Sequence, residues 1–111
     1  MAREKFGTLT EQMFYILLAL DQASCGVDIM ERIRSLTAGR VTLGPGTLYA
    51  LLADFQKAGY IAETAVEGRR RTYALTQAGR ARYWDEVARL RACIADAEEE
   101  ERLWKPAPCA D

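Results

Sequence analysis

The chain has 111 residues, half of them hydrophobic, with a formal net charge of −1, three cysteines and no histidine. That length suits one domain with a modest core and leaves no room for a second. An odd cysteine count without CxxC spacing, together with the lack of histidine, argues against a disulfide framework, a zinc site and histidine-based catalysis.

The longest apolar stretch, Met13 to Leu20, is about half of the ~20 residues a membrane span needs. The opening Met1 to Gly7 lacks the apolar region of a signal peptide. The expectation is a soluble cytoplasmic protein with Cys25, Cys93 and Cys109 reduced, no metal and no cofactor. Charge is distributed unevenly: eleven Lys/Arg face eight Asp/Glu up to Arg82, and four face eight beyond it. Specific DNA binding needs a local basic patch rather than a basic whole, so the overall sign excludes little.

Thr8-Leu9-Thr10-Glu11 has the S/T-x-x-E form of a capping box and precedes Met13, Ile16, Leu17 and Leu20 at helical spacing, which predicts a first helix. Ser24-Cys25-Gly26 breaks it. Asp28 to Leu36 makes a second amphipathic helix on Ile29, Ile33 and Leu36, ended by Thr37-Ala38-Gly39, and Val41 to Leu43 fits a short strand.

Pro45 has a fixed φ and no N–H, so it suits a helix start, with Gly46 or Thr47 as the N-cap. From there Leu48, Leu51, Leu52 and Phe55 form an apolar stripe, and Gly59 is a natural stop. Thr47, Tyr49, Ala50, Ala53, Asp54, Gln56 and Lys57 remain as a small, polar face that can approach another surface; a plain core helix would present the same pattern. Tyr60-Ile61 then opens a strand, Val66-Glu67-Gly68-Arg69 turns, and Arg71 to Leu75 returns, giving a β-ribbon with Arg69, Arg70 and Arg71 at its tip. Consecutive arginines suit a solvated surface, but directly after such a helix they are well placed for phosphate contacts or minor-groove insertion.

Thr76 can cap a long final helix reaching about Leu103 or Trp104, with Pro106 and Pro108 barring its continuation. Tyr83, Val87, Leu90, Ile94, Ala97 and Trp104 repeat at alternating spacings of four and three, a coiled-coil seam interrupted by Glu101. A second copy of the chain would bury that seam, since most homo-oligomers are two-fold dimers; the alternative is a helix folded back on its own domain.

The expected fold class is mainly α with a small β-ribbon: a winged helix-turn-helix over residues 1–75, a dimerisation helix over 76–104 and a tail over 105–111. The succession of Ile16 to Leu20, Cys25-Gly26-Val27-Asp28-Ile29, Arg40 to Tyr49, Ala58 to Ile61 and Arg69 to Gly79 resembles the PadR family of bacterial transcriptional regulators, in particular its small members with one C-terminal helix. The resemblance implies a homodimeric repressor that places its third helix in the major groove of an inverted-repeat operator. It also implies DNA contacts from Thr47 and Tyr49, with the Arg69 to Arg71 tip on the adjacent minor groove. Ala50, Ala53 and Lys57 complete the expected DNA-facing set, and Tyr83, Val87, Leu90 and Ile94 the expected dimer interface. Val27 stands where the family usually has an aromatic, and Ala53 and Asp54 where basic residues often occur. Those departures bear on operator affinity and sequence rather than on fold.

In small members of that family compounds lodge at the dimer interface, so Met13, Phe14, Tyr83, Trp84 and Val87 are candidates to line a pocket for a small apolar or aromatic effector; Trp84 is equally compatible with plain packing. Tyr49 has a structural alternative too, its ring packing on the wing. The competing function is a winged-helix protein-interaction module with little DNA affinity. No residue set nominates an enzyme.

Overall fold

A computed structural model describes residues 7–104 of the protein; the thiol of Cys109, the helix-blocking Pro106 and Pro108, and most of the Met1 to Gly7 leader lie outside the described residues. The order of elements is α1 (Glu11–Ala19), β1 (Ser24–Cys25), α2 (Gly26–Leu36), α3 (Pro45–Ala58), β2 (Ile61–Glu67), β3 (Arg70–Leu75) and α4 (Gln77–Glu101). Three helices and a three-stranded antiparallel sheet, ordered β1-β3-β2, form the head. Its core joins Ile16, Leu17 and Leu20 of α1, Ile29 and Ile33 of α2, and Leu48, Leu52 and Phe55 of α3. No helix among the described residues is long and apolar enough to cross a membrane.

Three local starts differ from the sequence reading. Thr10, not Thr8, caps α1: its hydroxyl accepts the Met13 N–H at 3.2 Å. Leu9 is drawn into the core, and Glu11, the acid of the expected capping box, is held instead by Arg40 at 2.6 Å. α2 begins at Gly26, two residues early. α3 begins with Pro45 as its first residue and Gly44 as cap, and the Leu48 N–H closes the first turn on the Gly44 carbonyl at 3.0 Å. Proline's fixed φ is itself the start of the helix, which makes Gly46 and Thr47 interior.

The third strand is also elsewhere. Val41 to Leu43 does not pair into the sheet; Val41 and Leu43 are buried, but the Val41 N–H is satisfied by the Thr37 hydroxyl at 3.0 Å, which donates in turn to the Ile33 carbonyl at 2.9 Å. The free edge of β3 is taken by Ser24 and Cys25, opposite Tyr73 and Thr72. On its other edge β3 meets β2 in a register running from Ile61 opposite Leu75 to Glu67 opposite Arg70, with an irregularity between Glu63 and Ala65.

The stop of α3 and the cap of α4 fall where the sequence puts them, whereas β2 runs on through Val66 and Glu67 and β3 starts at Arg70, which narrows the expected Val66 to Arg69 turn to Gly68-Arg69. Gly59 ends α3 at φ 83°, in the left-handed region that glycine enters without a Cβ penalty. Thr76 caps α4 by accepting the Gly79 N–H at 3.0 Å. α4 closes at Glu101, two or three residues short of the expected end, and single turns from Leu103 to Glu100 and from Trp104 to Glu101 follow it.

Candidate nucleic-acid interface

α3 has two faces. Leu48, Leu52 and Phe55 point into the core, while Thr47, Tyr49, Ala50, Ala53, Asp54, Gln56 and Lys57 are exposed. Small side chains at Ala50 and Ala53 let this face approach a partner closely, and Lys57 puts a cation at its far end.

The wing tip is a two-residue loop, Gly68-Arg69, closed by the Glu67 and Arg70 pair. Gly68 sits at φ 64° and Arg69 does not share the positive φ, the combination of a type II′ hairpin turn. Arg69, Arg70 and Arg71 are all exposed. Two of them have carboxylate neighbours that the sequence did not announce: Arg71 is 3.1 Å from Glu63 across the ribbon, and Arg70 is 3.7 Å from Asp28 at the start of α2. The Arg70 and Asp28 pair is exposed on both sides and so contributes little, whereas the Glu63 carboxylate is only 20% exposed. Behind them the Tyr73 phenol is pushed up from its ordinary pKa by burial and by the Glu63 carboxylate, so it stays a neutral core side chain.

Wing and α3 meet around one cavity of about 430 Å³, lined by Cys25, Gly26, Val27, Asp28, Tyr49 and Arg69 to Arg71. Four of the expected DNA-facing residues thus line one hollow, together with the first turn of α2, which the sequence reading did not include in the DNA-facing set although it marked Val27 as bearing on operator affinity. Tyr49 reaches the cavity by laying its ring over Gly26: a Cβ at that glycine would stand 2.2 Å from the Tyr49 hydroxyl and 2.7 Å from its ring. The ring therefore rests on α2, and the wing borders the same cavity. Gly26, which the sequence places in the break before α2, is instead the first residue of that helix and the surface on which the ring lies.

The expected seam on α4 divides in two. Tyr83 stacks on Phe14 of α1 with ring centroids 5.4 Å apart and planes 16° apart, and Trp84 meets Tyr83 edge-on at 5.0 Å. Farther along, Phe14, Val87, Leu90 and Ile94 line an open apolar groove of about 280 Å³ with Arg91, Ala95 and Glu98. Of the five expected effector-pocket residues the groove takes only Phe14 and Val87. Met13 packs on the core, Tyr83 supports Phe14, and Trp84 is 53% exposed. Among the described residues no cluster of three or more potential metal ligands occurs.

Known proteins share this fold. RosR of H. salinarum matches with a TM-score of 0.69 at 27% identity, over 89% of this chain and 90% of that one. A transcriptional regulator from Clostridium thermocellum matches at 0.69 and 25% identity, over 83% of this chain and 97% of that one. Bacillus subtilis PadR, solved in complex with operator DNA, matches at 0.64 over 92% of this chain and 52% of that one; at 18% identity the likeness is one of fold. No curated protein is significantly similar to the chain in sequence. The model of the transcriptional regulator PadR-like family matches residues 16–85, from the middle of α1 through both wing strands into α4, so the chain belongs to the PadR-like family of transcriptional regulators rather than to any class of enzyme.

Proposed function

We propose that the protein is a sequence-specific DNA-binding repressor that acts as a homodimer on an inverted-repeat operator. The observation that carries this reading is the exposed face of α3 standing beside the arginine wing tip, with Tyr49 and Arg69 to Arg71 around one cavity. A helix with small side chains can enter a major groove while Arg69, Arg70 and Arg71 engage the flanking backbone or minor groove. Thr47 lies in the first turns of α3, where the helix dipole favours a phosphate. Bacillus subtilis PadR, which has the same fold, was solved in complex with operator DNA, and DNA binding by this chain through α3 and the wing is proposed here. Two-fold pairing buries the groove at Val87, Leu90 and Ile94, and a small apolar effector entering beside Phe14 would relieve repression by disturbing that pairing.

Fluorescence anisotropy of a labelled duplex, repeated over a series of salt concentrations, tests the reading. Binding should weaken steeply, with a log–log slope of about −0.9 for each phosphate neutralised. The second reading, a protein-interaction module, draws on the Asp28 and Glu63 carboxylates that offset two of the three wing arginines. Absence of duplex binding at low salt would favour it and overturn the first.

A further inference from the structure

Beside the half-buried Tyr83 and Val87, the fully buried positions of α4 carry charge where apolar residues would be ordinary. The buried residues of this helix are Gly79, Arg82 and Glu86. Gly79 presses on the end of α3: a Cβ there would stand 1.9 Å from the Tyr60 carbonyl oxygen. The Thr76 N–H and hydroxyl donate to the carbonyls of Tyr60 and Gly59 at 3.0 and 2.6 Å, completing a first anchor.

Glu86 is the second anchor. It is 2% exposed, and both its carboxylate oxygens are used: Oε1 accepts from Arg82 Nη1 at 3.2 Å and Oε2 from Arg89 Nε at 2.9 Å. The Leu9 backbone, just before α1, also helps to lower the pKa of this carboxylate. Arg82, 8% exposed, reaches back from its other nitrogen to the carbonyl of Gly7, while its Nε–H has no acceptor among the described residues. The cluster therefore joins two turns of α4 to the segment leading into α1. Beyond it, from Leu90 to Trp104, every residue is exposed.

Arg82 and Glu86 are buried, while Arg89 closes the cluster from the solvent side at 40% exposure; a buried ion pair contributes little net stability compared with apolar side chains of the same volume, and its best-attested use is to specify geometry. Apolar contacts alone tolerate sliding and rotation, whereas charge-assisted hydrogen bonds to fixed backbone groups do not. Leverage makes the difference matter. The arm from Arg89 to Glu101 is about 18 Å long, so a tilt of ~10° at the cluster displaces its end by about 3 Å, close to the ~3.4 Å rise of one base pair.

We propose that the Arg82, Glu86 and Arg89 cluster is a positioning device that fixes the angle at which α4 leaves the winged-helix head and so sets the half-site spacing that the dimer accepts. The inference rests on the dimeric DNA reading above. The angle itself can be read without DNA. In the full chain with Cys25, Cys93 and Cys109 replaced by alanine, spin labels at Ser35→Cys on α2 and Asp96→Cys on α4 report it. Dilution with unlabelled chain confines the measured pairs to one protomer. The parent should give one narrow distance distribution. Glu86→Gln should broaden it, and so should the double substitution Arg82→Met with Glu86→Leu, which retains the buried volume without the charges and keeps the test available if Glu86→Gln unfolds.

The same proteins without labels are then titrated with duplexes whose two half-sites are separated in single-base-pair steps. The parent should discriminate by about tenfold per step and the variants by about twofold or less, with single-half-site affinity retained. An unchanged distance distribution in a folded variant, or unchanged spacing preference, would overturn the proposal. A narrow distribution in the parent together with no spacing preference would overturn the dimeric operator reading and leave the bracing of α4 standing.

Discussion

The hydroxyl of Tyr49 separates two roles that its ring combines. The ring lies on Gly26 and so helps hold α3 against α2, while the side chain as a whole stays 44% exposed on the edge of the wing cavity. Tyr49→Phe keeps the ring and removes only the oxygen. If that oxygen bonds a DNA phosphate, affinity should fall by roughly 0.5–1.5 kcal/mol in a filter-binding or anisotropy titration while the melting temperature barely moves. Unchanged affinity with unchanged stability would remove Tyr49 from the DNA-facing set. Glu86 gives a pH signature at the same scale. Burial pushes its pKa up, but the hydrogen bonds from Arg89 and Arg82, the Arg89 charge and the Leu9 backbone outweigh burial and hold it below the ordinary glutamate value. A carboxylate depressed by folding stabilises the native state above its unfolded pKa, and that contribution is lost as pH falls through the folded pKa. Acid unfolding of the parent should therefore start within and below the usual glutamate range. The Arg82→Met, Glu86→Leu variant should show a flatter acid limb in urea melts taken at stepped pH, and equal slopes would contradict the assignment.

Among the elements, those written in local chemistry were legible in advance. Gly59 as the stop of α3, Thr76 as the cap of α4 and the divided faces of α3 each depend on residues within one or two turns. The partner of the β3 edge was not, because two residues at Ser24 and Cys25 carry no periodicity, and because Val41 to Leu43 has strand composition while the Thr37 hydroxyl satisfies its backbone. Burial of Arg82 and Glu86 was hidden for a related reason: charged residues four apart on a helix read as a solvated face until the segment before α1 covers them. In the candidate site, the α3 face and the arginine tip were visible, but the two wing carboxylate partners, Glu63 and Asp28, depend on strand register and on where α2 begins. Two measurements belong here. Gly79→Ala forces a methyl into the Tyr60 carbonyl, which backbone cannot yield cheaply, so it should lower stability by about 1–3 kcal/mol in denaturant melts. A neutral result would mean that α4 is not seated on the end of α3. Arg70→Ala should weaken specific and non-specific duplex binding alike and reduce the salt slope by about one contact; a loss confined to the preferred sequence would make the wing a reader of bases or groove width.

At the scale of the whole molecule, the chain is a winged-helix head with a charged brace at the root of a long helix whose outer half bears Leu90 and Ile94 on its surface, with Leu103 and Trp104 exposed just past its end. Two such chains joined through α4 would present two α3 helices to the same side of a duplex, and their separation would select operators with a matching half-site spacing. Hydroxyl-radical footprinting of the purified protein on the DNA upstream of its own coding region tests this most directly, with Leu90→Asp as the dimer-breaking control. The account predicts two protected segments related by inverted symmetry, with centres about one helical turn or a multiple of it apart. The Leu90→Asp variant should lose them at protein concentrations that saturate the parent, because dimerisation would bury an unpaired charge. A single unsymmetrical protected segment, unaffected by Leu90→Asp, would contradict the dimeric reading.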